Sequence, residues 1–328
     1  MKPWRQFLRF LVSLQLLPAL EGGEETLVGG QAVMEGVMMR SPHAWGIAIR
    51  RQSGEITTHS EPLQRPSERH KWLGWPFVRG LATLGQAMRL GFVASKFSLN
   101  VGLESIAQEE GQKRLEISEW AMIASTVFSI GFFIFMYKFV PLRATSFLQP
   151  HWTALNNNFV FNLVDGGIRI LLFLLFVWGI SLFADIKRIY HYHGAEHKTV
   201  FAFEDHGMPT VADAQKYSTY HPRCGTSFLM TIMLICIFVY AAVPVHGFWA
   251  KFGLRVAALP IISSVSYEII RFSARHGRSF FALLTRPGLW LQRITTQPPS
   301  DDQVECAIKA LNEAMELEKQ RGGELVIA

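Results

Sequence analysis

Residues 159–188, FVFNLVDGGIRILLFLLFVWGISLFADIKR, decide the fold class. The run from Phe159 to Ala184 is long enough to cross a hydrocarbon core, which takes about 20 residues, and a basic stop follows it at Lys187 and Arg188. Its two charges, Asp165 and Arg169, are four residues apart in the first turns. That spacing puts them on one helix face and predicts an intrahelical pair that lowers the cost of insertion. Three further runs have the same character: Trp120–Val140, Thr226–Val245 and Leu254–Ile270. The first carries only Lys138, near its end, where it is expected to snorkel to the interface. The third is clean, and the short fourth holds Ser263, Ser264, Ser266 and Glu268. The expected fold is mainly α: a polytopic helical membrane bundle of about four spans. A small N-terminal β-containing cytoplasmic region precedes it and a C-terminal amphipathic helix closes it.

The totals agree with that class. The chain has 328 residues, of which 49% are hydrophobic, and it carries a formal charge of +6. A basic balance suits nucleic acid or anionic lipid alike. No arginine–aromatic module is visible, so the bilayer is the expected partner and nucleic acid is not. Cys224, Cys236 and Cys306 form no disulfide framework and no C-x-x-C clamp, which fits a reducing compartment.

Lys and Arg collect before the first run (Arg79, Arg89, Lys96, Lys113, Arg114), after the second, and after the fourth (Arg271, Arg275, Arg278). The connection from Pro141 to Asn158 has Arg143 alone, and the one after the third run has only Lys251 and Arg255. An even number of spans with both termini cytoplasmic satisfies these counts. The expected location is the bacterial inner (plasma) membrane, multi-pass.

Seven regions follow. Residues 1–26 form an extension in which Trp4, Phe7, Leu8, Leu11 and Val12 recur at helical spacing opposite Arg5 and Arg9, an interfacial helix rather than a cleaved signal. Residues 27–72 are β-containing, because two β-rich runs flank the turn QSGE, with Gly54 available for positive φ. Residues 73–118 are expected to be amphipathic, interfacial or re-entrant helix opening at Pro76. Residues 119–185 hold the first two spans, 186–225 a cytoplasmic histidine-rich loop, and 226–272 the other two. Residues 273–328 are a membrane-surface segment around Trp290 followed by a helix. Ser300 and Gln303 form the S-x-x-Q capping pattern that opens this helix, and Val304, Ala307, Ile308, Leu311 and Met315 line one side of it.

The candidate chemistry is in HYHGAEHKTVFAFED, residues 191–205. His193, Glu196 and His197 spell H-x-x-E-H. If the stretch is helical, the two imidazoles are one turn apart and can share a zinc-like divalent transition metal, with Glu196 beside them as general base. The site also needs a third donor and an open position for water. Glu204, Asp205, His221, Cys224 and Glu268 are the candidates. The plainer reading is an interfacial polar loop in which His191, Tyr192 and His193 gather for solvation. His221 and Cys224, in YHPRCG, could alternatively pair as base and nucleophile. Glu268, in an apolar helix, is expected to have a partner, either Arg271 or the histidine cluster. GGQAVMEGVMMR lacks the G-K-[ST] of a phosphate loop. Its glycines are read as sites of tight backbone approach, with Glu35 and Arg40 either in a site or in a buried ion pair.

The stretches GGQAVMEGVMMR, HGAEHKTVFAFE, HPRCGTSFL, SYEIIR and PGLWLQRITTQPPSDDQVECAIKAL together resemble the YqhQ-like family of bacterial membrane proteins, domain of unknown function 1385. The resemblance runs from about Val28 to about Glu318. It implies a membrane protein and a metal-dependent enzyme. The expectation is thus a metal-dependent hydrolase at the cytoplasmic membrane face, with His193 and His197 as ligands, Glu196 as base, and His221 or Glu268 completing the shell. The alternative is a non-catalytic scaffold or assembly factor that docks a protein partner at the cytoplasmic face, through its hairpin and the apolar stripe of its last helix. A third reading is a small transporter lined by Asp165, Arg169 and Glu268.

Overall fold

The computed structural model describes residues 28–110, 119–222, 224–275 and 280–320. The expected interfacial helix in residues 1–26 lies outside them. The chain divides into two compact units, each assembled from separate stretches. One is helical and includes Ser118–Ile180 and Pro222–Leu291; the other comprises Gln15–Ile117, Ser181–His221 and Gln292–Ala328.

The second unit is built on a four-stranded antiparallel meander, β1 (Gly29–Val33), β2 (Gly36–Arg40), β3 (Ala44–Arg50) and β4 (Ile56–Pro62), in the order β1-β2-β3-β4. The expected β3–β4 hairpin is present, with Gly54 at φ 88° in its turn. GGQAVMEGVMMR is a second hairpin, β1–β2, closed tightly at Met34–Glu35. Its glycines do permit close backbone approach, since a Cβ on Gly36 would sit 2.1 Å from the Ala48 carbonyl oxygen.

Side chains alternate across this sheet, as the period of two requires. Val33, Met38, Trp45, Ile47 and Ile49 face α1 (Val78–Glu110), which contributes Leu90, Ala94 and Val101. The region expected to be interfacial or re-entrant is therefore one 33-residue helix that buries a stripe against the sheet. Val37, Met39 and Ala48 face the other way, onto α4 (Ala184–His206) and α9 (Asp301–Gln320). The apolar stripe of α9 is thus occupied: Val304, Ala307, Leu311 and Met315 are buried there. Polar ties fix its pose, with Arg50 on Glu305, Thr58 and Ser60 on Glu313, and Ser41 and His43 on Glu318.

The residues expected to form a histidine-rich loop are mostly helix. α4 runs unbroken through them because Tyr192, Ala195, Val200 and Phe203 recur near helical spacing and find the sheet and α9 to bury against. Gly207, at φ 82°, ends the helix. The following segment then turns back along it, where Lys198 Nζ donates to the carbonyls of Gln215 (2.6 Å) and Tyr217 (2.7 Å).

The helical unit contains α2 (Glu119–Ile134), which continues through a π-helical turn, Phe135–Phe139, into Val140–Leu148. It also contains α3 (Asn158–Ser181), α5 (Gly225–Ala242), α6 (Phe248–Ala257), α7 (Leu259–Arg275) and most of α8 (Phe280–Thr295). Three described helices are long and apolar enough to cross a membrane: Ile123–His151, Asn158–Ser181 and Gly225–Ala242. The fourth expected span is two helices, α6 and α7, bent by 46°. Pro260, second in α7, has no N–H to give to the preceding helix and disfavours helical geometry in the residue before it. Lys138 does not snorkel. It is buried, and its Nζ lies 3.2 Å from Tyr240 Oη and 3.5 Å from Cys236 Sγ.

Candidate functional site

Because α4 is helical, His193 and His197 are one turn apart. Their ring centroids are 4.4 Å apart, and a ring nitrogen of each lies within 4.8 Å of the other. Each ring is held at Nδ1 by a backbone carbonyl: His193 by Thr295 (2.9 Å) and His197 by Thr219. A carbonyl only accepts, so Nδ1 carries the proton in both, which leaves Nε2 as the ring nitrogen able to offer a lone pair to a ligand. This is how metal-binding imidazoles are usually oriented by their surroundings. His197 is 2% exposed, and its Nε2 has no hydrogen-bond partner among the described residues. A buried acceptor left in this way is costly.

His221 extends the row, with its ring centroid 5.5 Å from that of His197 and 4.5 Å from Phe201. Gln292 clamps its backbone, accepting from His221 N and donating to His221 O, both at 2.8 Å. Burial pushes the His221 imidazole down to about 4; the Glu196 carboxylate opposes this, and His193 adds to it. The ring is therefore neutral at physiological pH. Its Nε2 lies 3.8 Å from Glu204 Oε2. Glu196 is buried on the same stretch of α4, and the Gly30 amide of β1 donates to its Oε1 at 3.1 Å. Gly30 is required there, since a Cβ would lie 2.6 Å from the Met38 carbonyl oxygen and 3.0 Å from Glu196 Cγ.

The structure therefore gathers His193, Glu196, His197 and His221, with Glu204 at the edge. His191, Asp205 and Glu35 are committed elsewhere. His191 is tied through Nδ1 to the Pro298 carbonyl at 2.7 Å. Asp205 accepts from the Tyr217 hydroxyl. Glu35, in the β1–β2 turn, pairs with Arg188 (Nη2 at 2.7 Å) and receives the Tyr192 hydroxyl at 3.3 Å, where burial keeps the phenol protonated. The ion pair at Glu35 is thus with Arg188, and Arg40 sits opposite Gly29 at the end of β2. Cys224 and Glu268 belong to the helical unit. Cys224 is a buried cysteine capping α5, where its Sγ accepts from Thr226 N at 3.5 Å, and Glu268 is buried in α7.

Sequence reasoning missed Gly194, Thr219, Gln292 and Thr295, which position the rings without offering metal-binding groups. Only Gly194 left a signal, as a glycine inside the motif. A Cβ there would meet the Gln297 carbonyl oxygen at 2.1 Å, so glycine lets residues 295–298 lie against α4. Gln297 N donates to Tyr190 O at 2.9 Å on the same stretch.

A family model described as "Protein of unknown function (DUF1385)" matches residues 75–317. The chain is 32% identical over 297 residues to a Bacillus subtilis (strain 168) protein named "Uncharacterized protein YqhQ", covering 88% of this chain and 92% of that relative. No solved structure matches.

Proposed function

This chain belongs to the DUF1385 family, and from that premise we propose that it is a membrane-embedded, metal-dependent hydrolase. The observation that carries this reading is the pair of Nε2 lone pairs on His193 and His197. Both rings are fixed by carbonyls at Nδ1, and His197 Nε2 is buried with no hydrogen-bond partner among the described residues. Two imidazoles so arranged fit a zinc-like ion, and one more donor would complete a catalytic set. That donor is His221, whose backbone is anchored by Gln292. When bound, the ion would supply Lewis acidity and a hydroxide nucleophile at neutral pH.

The chain's own groups do the rest. Thr219 and Thr295 hold the ring orientation. The Gly30 amide fixes one oxygen of Glu196, leaving the carboxylate to take a proton from water and return it to a leaving group. Large apolar side chains left exposed on the long helices, including Phe128, Leu171, Leu175, Trp178 and Phe238, suit contact with lipid rather than water. The same reading places the protein in the bacterial inner membrane with both termini cytoplasmic and the substrate close to the membrane face.

Metal analysis of the detergent-purified protein tests this. The expected result is about one transition-metal equivalent per chain, lost in His193→Ala/His197→Ala and retained in Glu196→Gln. Glu196→Gln is expected to abolish metal-dependent cleavage of ester or phosphodiester probes. Wild-type protein with no metal above background would overturn the metal site. Metal retention with full cleavage in Glu196→Gln would overturn the role of the carboxylate.

A further inference from the structure

Among the described residues, the helical unit buries more positive than negative charge. Asp165 of α3 is fully buried between two guanidinium groups: Arg169 on its own helix, through Nη2, and Arg255 of α6, whose Nη1 is 2.6 Å away. Arg255 also donates from Nη2 to Asn162 Oδ1 at 3.1 Å. Arg169 Nε donates at 2.9 Å to the carbonyl of Tyr137, a residue of the π-helical turn, and such turns recur at functional sites. Lys138, on that same turn, points its Nζ at Tyr240. The Tyr240 ring sits among all three cations, with Arg169 Cζ and Arg255 Cζ each 5.4 Å and Lys138 Nζ 5.5 Å from its centroid.

Among the described residues, no carboxylate other than Asp165 pairs with these cations. Three cations therefore face one anion within apolar helices, where uncompensated charge is expensive. The deficit has an address. Arg169 Nη1 is buried with no hydrogen-bond partner among the described residues. Asp165 alone pairs the two arginines, and α3 alone would have given a balanced pair; Arg255 and Lys138 create the surplus.

We propose that this cluster binds a small monovalent anion, a halide, at Arg169 Nη1, with Lys138 contributing its charge. Arg169 already uses Nη2 and Nε, so the fork that would grip a carboxylate or phosphate with two parallel bonds is divided. A compact spherical anion needs only the remaining nitrogen. The anion also brings the cluster closer to neutrality. This site is independent of the metal reading, because it shares no residue with it.

The test is thermal unfolding of the full-length protein in detergent, titrated with sodium chloride or bromide against sodium gluconate at constant ionic strength. Acetate serves as the carboxylate control. The expected result is a saturable rise in melting temperature with chloride and bromide, and none with acetate. Lys138→Met is expected to weaken the halide midpoint by about tenfold or more, while its melting temperature in gluconate equals or exceeds that of wild type. Arg169→Gln is expected to abolish the halide response. Equal responses to chloride and gluconate would overturn the proposal, as would an unchanged midpoint in Lys138→Met. Saturable binding of acetate with no halide response would overturn the assigned ligand class.

Discussion

Substituting Gly194 should reverse the sign usual for glycine in a helix. Alanine in place of an interior helical glycine ordinarily gains up to about 1 kcal/mol. At Gly194 the new Cβ would meet the Gln297 carbonyl oxygen at 2.1 Å and Thr219 Cγ2 at 3.3 Å. The first contact is more than about 1 Å short of the roughly 3.5 Å of ordinary non-bonded atoms. Neither side yields cheaply. Gln297 N is bonded to Tyr190 O, and the adjoining carbonyls of Thr295 and Pro298 hold His193 and His191.

Overpacking of this severity belongs at the upper end of the usual range, about 3 kcal/mol. Against the gain in helix propensity, the net loss is about 2 kcal/mol. At about 2–4 °C per kcal/mol, Gly194→Ala should melt about 4–8 °C below wild type. The displaced backbone also carries the carbonyls that orient both rings, so on the proposed metal reading retention against a chelator should fall about 10–100-fold. Gly85→Ala is the control: its Cβ would meet nothing within 4 Å, and it should gain about 0.5–1 kcal/mol. Tryptophan fluorescence during heating and metal content after dialysis read both effects. A Gly194→Ala protein that melts at or above wild type and keeps its metal would refute the packing account of this site.

Other perturbations follow from the same contacts. Lys198→Met strips the donor from two carbonyls, Gln215 and Tyr217. It should cost about 2–4 kcal/mol in chemical denaturation and raise hydrogen exchange in residues 208–221. Gly36→Ala forces a Cβ to 2.1 Å from the Ala48 carbonyl oxygen between paired strands and should cost about 3 kcal/mol or more, measured by thermal melting. Burial raises the Glu318 carboxyl, but hydrogen bonds from His43 and Ser41 outweigh it and leave the group below its ordinary value. A folded pKa below the unfolded one means that its stabilisation is complete above about pH 4.3 and disappears as pH falls through the folded value. Glu318→Gln should therefore lower the melting temperature at pH 7, and the gap to wild type should close as the pH falls through the folded value.

The sequence by itself determined the features that depend on near neighbours. Length and apolarity marked the long helices, because crossing a bilayer constrains twenty consecutive residues at once. Gly54 marked the β3–β4 turn, Ser300 and Gln303 the start of α9, and the spacing of His193 and His197 their shared face. Tertiary structure decided everything that depends on distant partners. The apolar stripe of α9 could have faced a partner, but it covers a sheet more than 230 residues earlier, at Ala48. A four-residue spacing predicted the Asp165–Arg169 pair, but Arg255 and Lys138, which turn it into a cationic cluster, lie 90 residues after and 27 before Asp165. The histidine motif likewise could not reveal which carbonyls orient its rings. A backbone oxygen is present at every residue, so only the folded approach of Thr219 and Thr295 singles out two of them.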